Sequence, residues 1–151
     1  MAERIIRKDS DPVLRQRARE IKEITPAILR LLDDMVETME GANGIGLAAP
    51  QVGISKRMIV IKIGKNDPLE LINPSLLCKE GEESDVEGCL SFPGMYGEVP
   101  RALEVEVEAL NREGKKITIK GTGLLARALQ HEIDHLDGIL FVDKVEKFVD
   151  K

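Results

Sequence analysis

The first clear pattern of apolar and polar positions is that of an amphipathic helix over residues 25–41. Thr25 can cap this helix, Pro26 suits its first position, and Gly41 can end it. Its apolar side chains recur at helical spacing and form one stripe, which consists of Ile28, Leu31, Leu32, Met35, Val36 and Met39. The sequence therefore predicts a long helix near the N-terminus with one buried face.

After this helix the pattern changes to that of β-strands. Residues 57–63 form a mostly apolar run, and residues 103–109 alternate apolar side chains with glutamates. A turn follows at residues 111–115, so residues 102–120 are predicted to form an antiparallel hairpin. The solvent face of this hairpin is expected to carry Glu104, Glu106 and Glu108.

A further strand is predicted between these two runs. It covers residues 69–79 and is interrupted at Asn73 and Pro74. The acidic segment that follows, residues 79–88, is expected to be an exposed loop. The order of helix, strands and helix favours an α+β fold over a repeating βαβ fold. A length of 151 residues suits a single domain with its own core.

The second helix is predicted at residues 122–138, with Thr122 as its candidate cap and Gly138 just past its end. It carries the pattern H-E-x-x-H at residues 131–135, which contains both histidines of the sequence. Residues four apart lie on the same side of a helix, one turn apart, so both imidazoles can reach one metal ion. The pentapeptide is therefore a candidate metal site.

The position of Glu132 on this helix argues against a histidine pair without function. At about 100° per residue, Glu132 lies near the middle of an apolar arc and both histidines lie toward its edge. A carboxylate buried there without a partner would cost several kcal/mol, and a metal-bound water is its natural partner. The opposite, polar side carries Arg127, Gln130, Asp134 and Asp137. We expect the two aspartates to face solvent, although they could instead orient the histidines.

Two histidines need a third protein ligand. Cys89 is the best candidate because thiolate and imidazole together suit Zn²⁺ or Fe²⁺. Cys78 is the alternative, but it ends an apolar strand, where a buried structural thiol is expected. Its spacing from Cys89 also matches no short zinc-finger pair. Three ligands would leave one coordination position for water or substrate, as in catalytic sites.

Composition and charge narrow the possible classes of function. A net charge of −5 and a pI near 5.2 argue against nucleic-acid binding, which needs a clustered basic face. The apolar stretches are shorter than the ~20 residues of a membrane span, and residues 1–12 lack the apolar core of a secretory signal. A cytoplasmic protein with reduced cysteines and no membrane partner is therefore expected.

Three motifs in one order make the chain closely resemble the peptide deformylase family. They are GIGLAAPQ at residues 44–51, EGCLSFP at 87–93 and HEIDH at 131–135, and together they are far more specific than H-E-x-x-H alone. The resemblance covers roughly the whole chain. It implies a bacterial or organellar enzyme that removes the N-formyl group from the initiator methionine of nascent polypeptides and releases formate. It also implies one catalytic domain over residues 1–151, with antiparallel or mixed sheets packed around the helix that carries HEIDH.

The resemblance also implies roles for individual residues. These are Cys89, His131 and His135 as metal ligands, Glu132 as general acid and base, and Gln51 with the backbone N–H of Leu90 as donors to the oxyanion. Fe²⁺ is the expected native metal, with Zn²⁺, Ni²⁺ or Co²⁺ as replacements. N-formyl-methionyl nascent peptides are the expected partners. The ribosome is a further candidate, although the chain ends before the longer C-terminal helix that many relatives carry.

The motif GIGLAAPQ also has the spacing of a dinucleotide-binding loop, but its context excludes that function. Such a loop follows a strand and opens a helix. Here a helix ends at Gly41 just before the motif, and Pro50 disfavours a helical conformation at the residue before it. The glycines are better explained by a close approach of backbone to a ligand.

The resemblance gives that ligand as an extended substrate peptide. Ile45 and Gly46 would pair with it as an added strand, and Gly88 would flank its other side. The methionine side chain would lie against Leu124, Ala128 and Ile45. From the pattern alone, Leu124 is equally well explained as a core residue.

Two other functions share these motifs. A zinc peptidase with H-E-x-x-H would usually take its third ligand downstream, and the downstream candidates are Asp137, Asp143, Glu146 and Asp150. A non-catalytic binding module with a closed metal site would need a fourth ligand, for which Cys78 is the obvious choice. The buried Glu132, which is not a ligand, disfavours the binding module.

Overall fold

Two α-helices and eight β-strands make up the regular structure of residues 2–150, the part of the chain that the structure, a computed structural model, describes. The helices are α1 (Pro26–Gly41) and α2 (Gly123–Leu136). The strands are β1 (Gly46–Ala48), β2 (Met58–Ile61), β3 (Leu69–Glu80), β4 (Glu83–Cys89), β5 (Phe92–Arg101), β6 (Glu104–Leu110), β7 (Lys116–Thr122) and β8 (Lys147–Val149). Short 3₁₀ turns occupy Pro12–Arg15, Ala49–Val52 and Phe141–Asp143.

The strands form two antiparallel sheets. A five-stranded sheet has the order β1-β2-β3-β6-β7, and a three-stranded sheet has the order β4-β5-β8. The predicted hairpin at residues 102–120 is present, because β6 pairs with β7 from Glu104 opposite Thr122 to Leu110 opposite Lys116. The α+β class, with two helices and antiparallel sheets, is confirmed.

Helix α1 forms where the sequence predicts it and begins on a side-chain cap. The Thr25 hydroxyl accepts a hydrogen bond from the Ile28 N–H, and Pro26 lies in the first turn. The apolar stripe is buried against β1 and β2, and its fully buried members include Leu32, Met35 and Met39. Burying one such side chain contributes about 1.5–3 kcal/mol, so the stripe fixes α1 on the five-stranded sheet.

Helix α2 is buried on both its apolar and its polar side. The apolar side packs on the five-stranded sheet through Ala126, Leu129 and Leu136. On the polar side, Arg127 and Gln130 are only 7% and 9% exposed. Arg127 donates to the backbone oxygens of Glu83 and Val99, and the Gln130 amide pairs with the backbone N–H and C=O of Ala102 at 2.9 Å each. A second sheet, which the helical pattern could not reveal, therefore covers the polar side.

The acidic segment of residues 79–88 is β-strand, so the prediction of an exposed loop is wrong. It completes β3 and contains most of β4, with a turn between them at Gly81. Most of its side chains are exposed. The strand therefore has the polar composition of a loop although its backbone is paired.

Strand β3 also continues through Asn73 and Pro74, where an interruption was predicted. A register shift between Ile72 and Ser75 absorbs the irregularity, and Asn73 adopts a positive φ of 51°. The Asn73 side chain is held by both backbone groups of Ile21, at 2.8 and 2.9 Å. The dipeptide therefore makes a bulge in one strand rather than a break.

The thiol of Cys78 is exposed, so the prediction of a buried structural cysteine is wrong. A second register shift of β3 lies between Leu76 and Cys78. The Cys78 Sγ lies 3.7 Å from Oε2 of Glu106, on the outer face of the sheet. The bulge decides on which face residue 78 lies, and this cannot be read from the apolar run before it.

A third apolar cluster lies under the three-stranded sheet and consists of Leu14, Phe92, Val99, Leu140 and Phe141. It joins the turns at Pro12–Arg15 and Phe141–Asp143 to β5. No helix within residues 2–150 is long and apolar enough to cross a lipid bilayer.

Replacing Gly138 by alanine is expected to destabilise the protein more than replacing Gly64. Both glycines have positive φ, 74° and 62°, which costs alanine about 1–2 kcal/mol. A Cβ at Gly138 would also lie 2.5 Å from the carbonyl oxygen of Arg15, whereas no described atom lies within 4 Å of a Cβ at Gly64. The clash should add at least about 1 kcal/mol to the loss. Denaturant unfolding of the two variants measures this difference, and equal losses would contradict the clash.

Candidate metal centre

Three ligand atoms meet where the end of β4 faces α2. The Cys89 Sγ and one nitrogen from each of His131 and His135 lie within 4.8 Å of one another. The Cys89 Sγ is 3.4 Å from Nε2 of His135. The histidines stand on consecutive turns of α2, as the i, i+4 spacing predicts. The three residues predicted as ligands are therefore brought together.

Glu87 fixes the orientation of His131. Its Oε1 accepts hydrogen bonds from His131 Nδ1 at 2.9 Å and Arg101 Nη2 at 3.0 Å. Its Oε2 accepts from Arg101 Nε at 2.9 Å and Arg127 Nη1 at 2.7 Å. An ionised carboxylate only accepts, so His131 carries a proton on Nδ1, and Nε2 is the nitrogen that can face a metal ion. Burial opposes the charge of Glu87, but its bonds to His131 and Arg101 hold its pKa well below the usual value.

Glu87 was not predicted from the sequence, which offered Asp134 and Asp137 as the residues that could orient the histidines. Asp134 pairs with Arg101 at 2.6 Å and with Lys144 at 3.0 Å. Asp137 pairs with Arg57 at 2.9 Å. Neither carboxylate bonds a histidine within the described part of the chain. The signal for Glu87 was a charged residue directly before the Gly-Cys pair of the second motif.

Glu132 lies at the centre of the site and is not one of the three ligands. It is 4% exposed, and its Oε1 has no hydrogen-bond partner among the described residues. Burial raises its pKa to about 7, against the opposing effect of a charge on His131. The predicted place of Glu132 on the buried face of the helix is confirmed.

The two histidines differ in their affinity for protons. Burial opposes a charge on His131, but its hydrogen bonds and the carboxylate of Glu132 raise its pKa well above the usual value. Burial and the charges of His131 and Arg101 lower the pKa of His135 well below the usual value. His135 is therefore neutral at pH 7, the form in which imidazole binds a metal ion.

The donor set fits a divalent transition metal. One thiolate and two imidazoles suit Zn²⁺ or Fe²⁺, and three protein ligands leave a position open. One buried polar atom beside these residues, Glu132 Oε1, has no partner among residues 2–150. Such an atom is expected where a hydrated ion or substrate completes the hydrogen bonding.

Gln51 reaches the site from the 3₁₀ turn that follows β1. Its Oε1 accepts a hydrogen bond from the Ala48 N–H at 2.9 Å. Its Nε2 therefore points the other way, 3.1 Å from the Ser91 hydroxyl and 3.5 Å from the Cys89 Sγ. Leu90 follows Cys89 at the turn into β5. The side chain of Gln51 and the backbone of Leu90 thus approach Cys89 from two segments of the chain.

A cavity of about 490 Å³ opens over this group. Its lining includes the predicted substrate-binding residues Ile45, Gly46, Gly88, Leu124 and Ala128, together with Leu90, Cys89, His131 and Glu132. Leu124 is 52% exposed and is therefore not a core residue. The cavity wall also contains Val86 and Tyr96, which sequence reasoning did not single out.

The glycine motif supplies an edge of the five-stranded sheet. Strand β1 pairs only with β2, so one of its edges is free of strand pairing in the described sheet. A Cβ on Gly46 would lie 2.4 Å from Oε2 of Glu132. A side chain at this position would displace the carboxylate of Glu132, which packs against this backbone, and this reason for glycine could not be read from the sequence.

Comparison with known proteins agrees with this arrangement. Residues 3–151 match the family model described as Polypeptide deformylase. Peptide deformylase of Desulfitobacterium hafniense is 63% identical over 135 residues, which cover 89% of this chain and 89% of that protein. Peptide deformylase of Acetivibrio thermocellus is 59% identical over 151 residues, which cover 100% of this chain and 88% of that protein.

The fold is similar to that of a solved enzyme as well. The crystal structure of a peptide deformylase from Legionella pneumophila superposes with a TM-score of 0.93 at 45% identity, over 95% of this chain and 86% of that chain. Sequence, fold and ligand set therefore agree: the chain belongs to the polypeptide deformylase family, whose members remove the N-formyl group from nascent peptides.

Proposed function

We propose that Cys89, His131 and His135 hold the metal ion of this hydrolase and that Glu132 transfers the protons of the reaction. The observation that carries this proposal is the buried carboxylate of Glu132, which has an unpartnered oxygen among the described residues. It lines the same cavity as Cys89 and His131. Among the described residues this carboxylate has no hydrogen-bonding partner that would compensate for its burial, so a catalytic role is the better explanation.

Glu132 accepts a proton from the attacking water and later delivers it to the leaving amine. A divalent ion bound by the three ligands would polarise the formyl carbonyl and lower the pKa of a water from 15.7 toward about 7. The Gln51 Nε2 and the Leu90 N–H donate hydrogen bonds to the oxyanion that develops on the formyl oxygen. The Gln51 amide is already oriented for this by its bonds to Ala48 and Ser91. The products are formate and a peptide with a free amino group.

The native metal is proposed to be Fe²⁺, with Zn²⁺, Ni²⁺ or Co²⁺ as replacements. One thiolate and two imidazoles are compatible with each of these ions, and the resemblance to deformylases favours iron. Metal analysis of anaerobically purified protein tests this assignment. Zinc alone in such a preparation would count against iron.

The substrate is proposed to be an N-formyl-methionyl peptide bound as an extended strand. Gly46 on the free edge of β1, Ile45 directly before it and Gly88 near the end of β4 would offer backbone groups to such a strand. Leu124, Ala128 and Ile45 offer an apolar surface for the methionine side chain, with Leu124 and Ile45 52% and 43% exposed. An unbranched apolar side chain can fill such a surface without a polar partner.

The two rival functions lose support from the positions of their ligands. A peptidase with a downstream third ligand would need an acidic residue after α2 in the ligand group. Asp137 and Asp143 instead pair with Arg57 and Arg15. The closed binding module would need Cys78, whose thiol lies near Glu106 and belongs to no ligand group in residues 2–150.

We further propose that residues 1–151 act as one catalytic domain in the bacterial cytoplasm, on chains that emerge from the ribosome. The family match spans residues 3–151, and the relatives from Desulfitobacterium hafniense and Acetivibrio thermocellus are bacterial. A formate-release assay on a formyl-methionyl peptide, with anaerobically prepared and metal-analysed protein, tests the function as a whole. Cleavage of internal peptide bonds without formate release would favour the peptidase instead.

Replacing Glu132 by alanine is expected to lower kcat by about 10²–10⁴-fold while the metal is retained, because the proton acceptor is lost and the ligands are not. Formate release and metal content measured on the same sample give both results. Glu104→Ala, on the exposed side of β6, is the matched control and should keep wild-type turnover. Near-normal turnover of Glu132→Ala would refute the assigned role.

Replacing Cys89 by serine is expected to weaken metal binding, whereas replacing Cys78 by serine should leave it unchanged. The loss should exceed the roughly 10–100-fold that follows removal of a group that merely supports a ligand. Competition with a chelator of known affinity measures both variants. Loss of metal in the Cys78 variant would instead support the closed four-ligand site.

Replacing Gly46 by alanine is expected to lower kcat through Glu132, because the added Cβ would lie 2.4 Å from its carboxylate. The loss should be about 10-fold or more, since displacements near 1 Å can cost 10²-fold. In the background of Glu132→Ala, the same change should have little further effect on kcat. A full additional loss in that double variant would mean that Gly46 acts in another way, for instance through peptide binding.

A further inference from the structure

The segment of residues 2–9 connects α1 to the two chain segments that contain Gln51 and Ser91. It makes two kinds of contact, one set with the side chains of α1 and one set with the backbone of the two motifs that supply Gln51 and Cys89. We call this segment the N-terminal strap. Its contacts are hydrogen bonds from strap N–H groups, each of which fixes one point of the strap.

The strap is anchored on α1 through Asp34 and Thr38. The Ala2 N–H donates to Asp34 Oδ1 at 2.8 Å, and the Arg4 N–H donates to the Thr38 hydroxyl at 2.8 Å. The Arg4 guanidinium also pairs with Asp34 Oδ2, at 2.9–3.0 Å. Asp34 and Thr38 are 8% and 4% exposed, so the strap lies on two nearly buried polar groups of the helix.

At its other end the strap bonds both motifs. The Arg7 N–H donates to the Gln51 carbonyl at 2.6 Å, and the Asp9 N–H donates to the Ser91 carbonyl at 2.9 Å. Asp9 has a positive φ of 49°, which aspartate adopts more readily than most residues, and it lies in the turn that the Asp11 N–H closes on the Lys8 carbonyl. The strap therefore links the two motifs through one backbone carbonyl of each.

Gln51 and Ser91 are also joined directly by their side chains. The Gln51 Nε2 donates to the Ser91 hydroxyl at 3.1 Å. Gln51 and Ser91 are thus connected twice, once directly through their side chains and once through the bonds of their carbonyls to the strap. Without the bond from the Arg7 N–H, the carbonyl of Gln51 would no longer be held by the strap. The side-chain bond between Gln51 and Ser91 alone would then set the distance between the two motifs.

We propose that the N-terminal strap is a positioning segment for the two oxyanion donors, the Gln51 amide and the Leu90 N–H. This inference rests on the oxyanion role proposed for these donors. Their separation must match the oxyanion to a fraction of an ångström, because donors contribute only at about 2.7–3.1 Å from it. The strap acts on turnover through Gln51, and it does not contact the substrate cavity.

Arg7→Pro removes the one N–H that bonds the Gln51 carbonyl, and Ile5→Pro is its matched control. Ile5 is 85% exposed, and its N–H makes no hydrogen bond to a described residue. The Arg7 variant should lose about 10-fold or more in kcat, with KM within about twofold of the wild type. The Ile5 variant should keep both constants. A kcat for Arg7→Pro equal to that of Ile5→Pro overturns the proposal.

A double-mutant cycle with Gln51→Ala separates positioning from general loss of structure. If the strap acts through Gln51, adding Arg7→Pro to Gln51→Ala lowers kcat by no more than about twofold. A further loss equal to that of Arg7→Pro alone overturns the proposal. If Arg7→Pro does not fold, Asp34→Asn loosens the other end of the strap, far from the cavity. It should show a smaller fall in kcat and the same non-additivity with Gln51→Ala.

Amide hydrogen exchange tests the strap independently of the oxyanion role. The N–H groups of Gly53 and Ile54 bond the carbonyls of Pro50 and Ala49, so they report on the turn that carries Gln51. They should exchange faster in Arg7→Pro than in Ile5→Pro at equal stability, and unchanged exchange overturns the proposal. If Gln51→Ala alone keeps the wild-type kcat, the oxyanion role fails, and faster exchange would then show a strap without a catalytic effect.

Discussion

The hydrogen bonds of the Glu87 carboxylate hold the site together. This one buried group accepts from His131 and Arg127 on α2 and from Arg101 on β5, and it stands on β4 itself. A buried pair that loses one partner typically costs about 3–5 kcal/mol, because the remaining charge stays buried. The orientation of His131 and the packing of α2 on the three-stranded sheet therefore depend on the same four bonds. Arg127 extends the link, since it also bonds backbone oxygens of β4 and β5.

This constraint explains why α2 has few exposed positions. One side of the helix carries the apolar contact with the five-stranded sheet, and the other carries the ion pairs and amide contacts with β4, β5 and Ala102. The polar residues on that second side therefore contact polar partners in a buried surface and do not face solvent. A helix buried in this way can hold His131, His135 and Glu132 with little freedom to move, which is what a preorganised site requires.

The sequence was sufficient for features that depend on local spacing. The two helices, the β6–β7 hairpin, the i, i+4 histidines and the burial of Glu132 follow from periodicity and caps. Features that depend on bulges or on a second sheet could not be predicted. The bulges of β3 decide that Cys78 faces outward, and β4 pairs with β5 although its composition is that of a loop. The role of Glu87 depends on Arg101, 14 residues away, whose place is set by that same pairing.

The balance of charges within the site separates its structural groups from Glu132. Arg101 is paired with Glu87 and Asp134, and Arg127 is paired with Glu87, so both arginines have carboxylate partners other than Glu132. Glu132 forms no ion pair within the described residues, and its burial raises its pKa to about 7. A group with that proton affinity can both accept and release a proton near neutral pH. Had Glu132 been paired with one of the arginines, it would have stayed ionised and stabilised the fold instead. Because Glu87 is the partner of both arginines, Glu132 has no arginine partner among the described residues, as the proposed proton transfer requires.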